Sequence, residues 1–134
     1  MRNAKIFLGA VLALLVIVGM SWYWGASGKW ETQRALEARS VRSDLIEGRS
    51  RLLDARVDVY NVNFGDASRH LQDAKDLLSG IRGRLNAIGR EGDGARLDTA
   101  LLKIDEAQRM AGQLDQSANT RAAEAAQLVE EVLK

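Results

Sequence analysis

The chain contains no cysteine and no proline, and only 5% of its 134 residues are aromatic. Without cysteine there is no disulfide framework, no thiolate zinc site and no residue to carry a lipid anchor, so cysteine usage says nothing of redox compartment. The absence of proline, with 46% apolar residues drawn mostly from Leu and Ala, favours helices over strands. An excess of charge of one sign is lacking as well. Setting Arg2 and Lys5 aside leaves 17 of the 19 basic residues against 18 acidic ones, a formal charge of −1 for the remainder. That balance provides no basic field to draw a phosphate backbone, and no nucleic-acid partner is expected.

What the chain does have is one long apolar run. Ile6 to Trp24, IFLGAVLALLVIVGMSWYW, carries no charge over 19 residues. As a helix it spans roughly 28 Å, the thickness of a bilayer core. Buried in a protein of this length, such a segment would be apolar on every side with too little chain to cover it, so lipid is the expected solvent. Phe7 at one boundary and Trp22, Tyr23 and Trp24 at the other have the chemistry of headgroup-level anchors. The rival reading is a cleaved leader, since Met1–Lys5 is a short basic stretch and Gly25–Gly28 offers small residues to a peptidase. A leader core runs about 7 to 15 apolar residues, and this one continues into WYW, which fits an interface better. The expected division is a basic tail at 1–5, a transmembrane signal anchor at 6–24, a flexible spacer at 25–29 and a helical bundle at 30–134. Arg2 and Lys5 are the nearest charges to the run, although Lys29, Arg34, Arg39 and Arg42 follow it. The expected orientation keeps the N-terminus in the cytoplasm and sends the bundle to the extracytoplasmic side, the periplasm in a bacterium with two membranes. Gly9 and Ala13 form a small-xxx-small pair within the run, a spacing that lets two membrane helices approach.

Beyond the spacer, Ala38, Val41, Leu45, Gly48, Leu52, Ala55, Val59 and Val62 recur at alternating gaps of three and four, an unbroken heptad stripe. Ile46, Leu53 and Tyr60 form a second row one residue along, which widens the apolar face beyond a strict coiled-coil seam and suits a bundle with several neighbours. The stripe stops at NVNFGD, where Asn63 or Asp66 is suited to capping a helix and Gly65 to an unusual backbone angle. A second helix carries Ala67, Leu71, Ala74, Leu78, Ile81, Leu85 and Ile88 and ends in the glycine-rich GREGDG. A third is expected from about Ala95 through Leu97, Leu101, Ile104, Ala107, Ala111 and Leu114. Asn119 and Thr120 offer a cap for a short fourth with Ala122, Ala126, Val129 and Leu133, unless the third and fourth are one. The expected fold is therefore all-α: a single N-terminal transmembrane helix followed by an antiparallel bundle of three to four helices with coiled-coil-like heptads.

Candidate chemistry is sparse. His70, the one histidine, shares a helix face with Asp66 and Asp73, but three such exposed ligands make a thin metal set, and a surface residue with charged neighbours is the commoner case. The 18 carboxylates are interleaved with Arg and Lys, the pattern of solvated helix faces, and no nucleophile with an adjacent base can be assembled. No catalytic residue, cofactor or small-molecule substrate is expected. Tyr60 and Phe64, one turn apart at the end of the first bundle helix, either close the hairpin tip or form a partner contact. The expected function is a non-enzymatic, membrane-anchored interaction or scaffold module of the cell envelope, whose partners are the lipid bilayer and either another protein or a second copy. The alternative is a single-pass sensory module signalling through a partner, because only five residues precede the membrane run.

Overall fold

A computed structural model describes residues 31–134 with their side chains. The side chains of the expected anchor at 6–24, with Phe7, Trp22, Tyr23, Trp24, Gly9 and Ala13, and of the spacer at 25–29 lie outside the described residues. Four helices follow one another in the order α1 (Arg2–Tyr60), α2 (Phe64–Ala87), α3 (Glu91–Gly112) and α4 (Ala118–Leu133), with no strand among the described residues. No helix among the described residues is long and apolar enough to cross a membrane.

The chain divides into two compact units, Met1–Arg39 and Ser40–Lys134. In the first, every described residue from Glu31 to Arg39 is exposed, Leu36 to 59%. Ala38, expected at the head of the heptad stripe, is among them.

The second unit is an antiparallel four-helix bundle, and its cross-links show the pairing. Asp58 meets His70 and Asp44 meets Arg84, which sets α1 against α2 in opposite directions. Lys75 with Asp105 and Arg82 with Asp98 do the same for α2 and α3. Lys103 with Glu124 and Arg121 with Glu106 join α3 to α4. The ring closes where α4 returns to α1, through Arg49 with Glu130 and Arg42 with the carbonyl of Leu133. Most of these pairs are half-exposed and screened by solvent, so they serve more to define register than to hold the fold.

Apolar burial holds it. Val41, Leu45, Leu52, Ala55 and Val59 of α1 lie in one core with Leu71, Leu78, Ile81 and Leu85 of α2, Leu97 and Ile104 of α3 and Val129 of α4. No polar or charged residue is buried as a whole among the described residues; the single sealed polar atom without a hydrogen-bond partner is the Nε of Arg49, at the edge of the core. Burying each Leu or Ile contributes about 1.5–3 kcal/mol. Where α3 meets α4 the core is lined by Ala100, Ala107, Ala111, Ala118, Ala122, Ala125 and Ala126, whose small side chains bring two helices close. On the α1–α2 side Gly48 plays the same part. A Cβ there would stand 3.0 Å from Leu78 Cδ2.

The helix ends depart from expectation in an instructive way. After α1, the Asn63 N–H donates to the Asp58 carbonyl and the Val62 N–H to the Val59 carbonyl, the paired bonds of a Schellman motif. After α2 the same pair links Arg90 to Leu85 and Gly89 to Asn86, and after α3 it links Asp115 to Met110 and Leu114 to Ala111. The left-handed residue of each motif is Val62 (φ 60°), Gly89 (φ 80°) and Leu114 (φ 58°). Gly65, expected to supply the special angle, instead lies in the first turn of α2, which Asn63 caps by accepting from the Asp66 N–H. Val62 and Leu114, assigned to apolar stripes, are turn residues exposed to 61% and 70%. GREGDG is a break only at its start: α3 begins at Glu91 rather than near Ala95, with Glu91 and Asp93 in its first turn where the helix dipole favours acids. Gly94 is buried there against Asn86, and Ala95 is exposed. The turn at Gln113–Ser117 makes α3 and α4 separate helices. Helix α4 starts at Ala118, earlier than a cap at Asn119 or Thr120 would have it. The Asp115 carboxylate accepts from the Ser117 N–H at 2.8 Å and its Oγ at 2.6 Å, and Asn119 is engaged with Arg56 instead.

Candidate interaction surface

Helix α1 carries two apolar rows within the bundle unit. Val41, Leu45, Gly48, Leu52, Ala55 and Val59 face the core. The second row, expected to widen that face, points elsewhere. Ile46 is 53% exposed, Tyr60 80% and Val57, which continues the row, 58%, while Leu53 is half-buried against the core edge. At 100° per residue the centres of the two rows stand roughly 130° apart, so no neighbouring bundle helix covers both.

The two residues expected to act together are separated. Phe64, in the first turn of α2, is 8% exposed and belongs to the core, whereas Tyr60 stands on the surface. Around Tyr60 an open groove of about 350 Å³ is lined by Leu53, Arg56, Val57, Tyr60 and Asn119. Its α4 wall is fastened by a reciprocal pair of hydrogen bonds: Arg56 Nε donates to Asn119 Oδ1 at 3.0 Å, and Asn119 Nδ2 donates to the Arg56 carbonyl at 3.1 Å. The groove offers apolar contact, a phenol and a guanidinium edge, which suits a side chain or helix of a partner and contains no general base. Periodicity alone does not single out Val57 or Arg56, and it assigns Asn119 to a helix cap. The available signal was Val57 itself, which with Ile46, Leu53 and Tyr60 makes an outward seam with its own alternation of three and four, broken only by Ser50.

Electrostatic perturbations lie away from this face. The Ser117 hydroxyl and N–H hold the Asp115 carboxyl below its usual range. Arg121 is raised above its ordinary value by its hydrogen bond to Glu124 and by the charges of Glu124 and Glu106. The Glu124 carboxyl is lowered by hydrogen bonds from Arg121 and Lys103. Asp115 is exposed and Arg121 and Glu124 are half-buried; all three make helix-to-helix or turn contacts, and their arrangement is structural. His70 Nδ1 lies 2.9 Å from Asp58 on α1, while Asp66 is engaged by Asn63 and Arg69, so these groups do not converge on one point. No group of three His, Cys, Asp or Glu residues suited to a metal occurs among the described residues.

No protein-family model, curated protein or solved structure matches the chain.

Proposed function

We propose that the chain is a non-enzymatic, membrane-anchored interaction module in which residues 6–24 hold a four-helix bundle close to a bilayer, on the extracytoplasmic side. In a bacterium with two membranes that places it on the periplasmic face of the inner membrane. The observation that carries the reading is the second apolar row of α1. A helix whose inward seam is already filled, and which still exposes Ile46, Val57 and Tyr60 in one line, presents a surface suited to another helix. The uncharged run of 19 residues with aromatic boundaries supports the anchor.

Fractionation of cells expressing the full chain, with an alkaline wash of the membranes, tests the anchor. The chain is expected in the washed pellet, and a variant lacking residues 6–24 in the supernatant. A reporter fused after Lys134 that is active only outside the cytoplasm tests orientation. A mature protein that begins near Lys29 and fractionates with soluble proteins would overturn the reading.

A further inference from the structure

The outward seam of α1 carries more information than its apolarity, because the charges beside it are sorted by sign. Taking Ser43, Ser50 and Val57 as one set of seam positions and Ile46, Leu53 and Tyr60 as the other gives a heptad register with two defined flanks. On one flank stand Arg42, Arg49 and Arg56, spaced seven apart; on the other stand Glu47 and Asp54, also seven apart. Every residue of the first flank is basic and both of the second are acidic.

In a two-stranded coiled coil those flanking charges meet across the seam, and they choose partner and direction. When two copies of α1 lie parallel and in register, the basic flank of each faces the acidic flank of the other. Arg42 then meets Glu47 of the second copy, and Arg49 meets its Asp54. When two copies lie antiparallel, arginines face arginines and carboxylates face carboxylates in any register. The small Ser43 and Ser50 let the backbones approach, and Ile46, Leu53, Val57 and Tyr60 supply the apolar contact. The arginines retain donors for this. Each makes one contact inside its own bundle, to the Leu133 carbonyl, to Glu130 and to Asn119 respectively; a guanidinium has five donors, and although the Arg49 Nε is buried, its terminal nitrogens have donors to spare. The Arg49 and Glu130 side chains are 36% and 46% exposed, a surface pair weak enough to share.

We infer that the partner of this surface is a second copy of the chain, paired in parallel through the outward seam of α1. The inference deepens the interaction-module reading and rests on it. From Ser43 to Tyr60 the seam runs roughly 26 Å, short for a stable interface between free molecules. Two copies held at one membrane have a raised effective concentration and a shared direction, both of which favour the parallel pair.

The absence of cysteine makes the test clean. In membranes from cells expressing the full chain, Ser43→Cys is expected to form a disulfide-linked dimer under mild oxidation. Ser79→Cys, at an exposed position on α2 away from the seam, is expected to crosslink at least tenfold less. Introducing Glu47→Arg and Asp54→Arg into the Ser43→Cys chain replaces attraction with repulsion at four contacts and is expected to reduce crosslinking about tenfold. Co-expression with a Ser43→Cys chain carrying Arg42→Glu and Arg49→Glu restores opposite charges on both flanks, and the mixed dimer is expected to return. Circular dichroism of each purified variant checks that the bundle is intact; Glu47 and Asp54 are exposed, whereas Arg49→Glu also removes the Arg49–Glu130 pair, so only folded variants are compared. Ser43→Cys crosslinking no better than Ser79→Cys overturns the proposal, as does a mixture of Ser43→Cys and Tyr60→Cys chains that links preferentially between unlike positions. The same samples are scored for partition into the washed pellet. A chain that pellets without crosslinking refutes the dimer alone, and a chain that does not pellet refutes the anchor.

Discussion

Val62 occupies the left-handed position of the Schellman motif that ends α1, a position where glycine is the usual residue. Holding an L-residue there costs about 1–2 kcal/mol, with a β-branched side chain at the upper end. Val62→Gly removes that strain, restores about 0.5–1 kcal/mol of chain entropy to the unfolded state and, because Val62 is 61% exposed, forfeits only a few tenths in packing. The net expectation is a stabilisation of about 0.5–1 kcal/mol. Gly89 provides the mirror experiment: it has φ 80° and nothing within 4 Å of where a Cβ would stand, so Gly89→Val introduces backbone strain without a clash. It is expected to destabilise by about 1–2 kcal/mol. Thermal and urea unfolding of the full chain, followed by far-UV circular dichroism, resolves both. At the size of this bundle one kcal/mol moves the midpoint by about 4–8 °C. If Val62→Gly lowers stability while Gly89→Val leaves it unchanged, the left-handed angles are not the source of strain and the assignment of these turns is mistaken.

Three further expectations follow from the core and the last turn. Leu71 is fully buried in the N-terminal third of α2, and Leu71→Ala is expected to cost about 2.7–5 kcal/mol in urea unfolding; a loss under about 1 kcal/mol would mean the core is not packed there. Gly48→Val places a branched side chain against the fully buried Leu78, 3.0 Å from the Cβ position, and is expected to destabilise by about 1–3 kcal/mol despite its gain in helix propensity, with an unchanged midpoint arguing against close α1–α2 approach. Because the Asp115 carboxyl is held below its ordinary 3.8 in the folded chain, the unfolded chain takes up that proton first as pH falls. The stability it lends is therefore present above about pH 3.8 and is lost as pH drops through the folded value, and Asp115→Asn is expected to flatten the acid limb of a stability profile; an acid slope identical to that of the unaltered chain would show that this turn does not contribute.

How much of this was legible beforehand differs from element to element. The sequence by itself determined that the described residues are helical, how many helices the bundle has to within one, and which rows run along them. Leu71, Leu78, Ile81 and Leu85 on α2, and Val41, Leu45, Leu52 and Val59 on α1, were readable from spacing alone, and they are core residues. Periodicity measures only the angle between residues on one helix. It does not say which direction has a neighbour, and so the row of Ile46, Leu53 and Tyr60 widens the apolar face of α1 while only Leu53 touches the core. That choice belongs to the tertiary structure, where α2 and α4 flank α1 on one side and leave the other open. The turns were decided there too. Gly65 and Gly112 are the residues local rules would choose for left-handed angles, yet Val62 and Leu114 adopt them. A helix ends where its core layer ends, and the two Schellman hydrogen bonds together with the packing they permit outweigh a local strain of about 1–2 kcal/mol. Phe64 and Tyr60 are divided by the same rule: one turn apart in sequence, they fall on opposite sides of a helix boundary whose position only the assembled bundle sets.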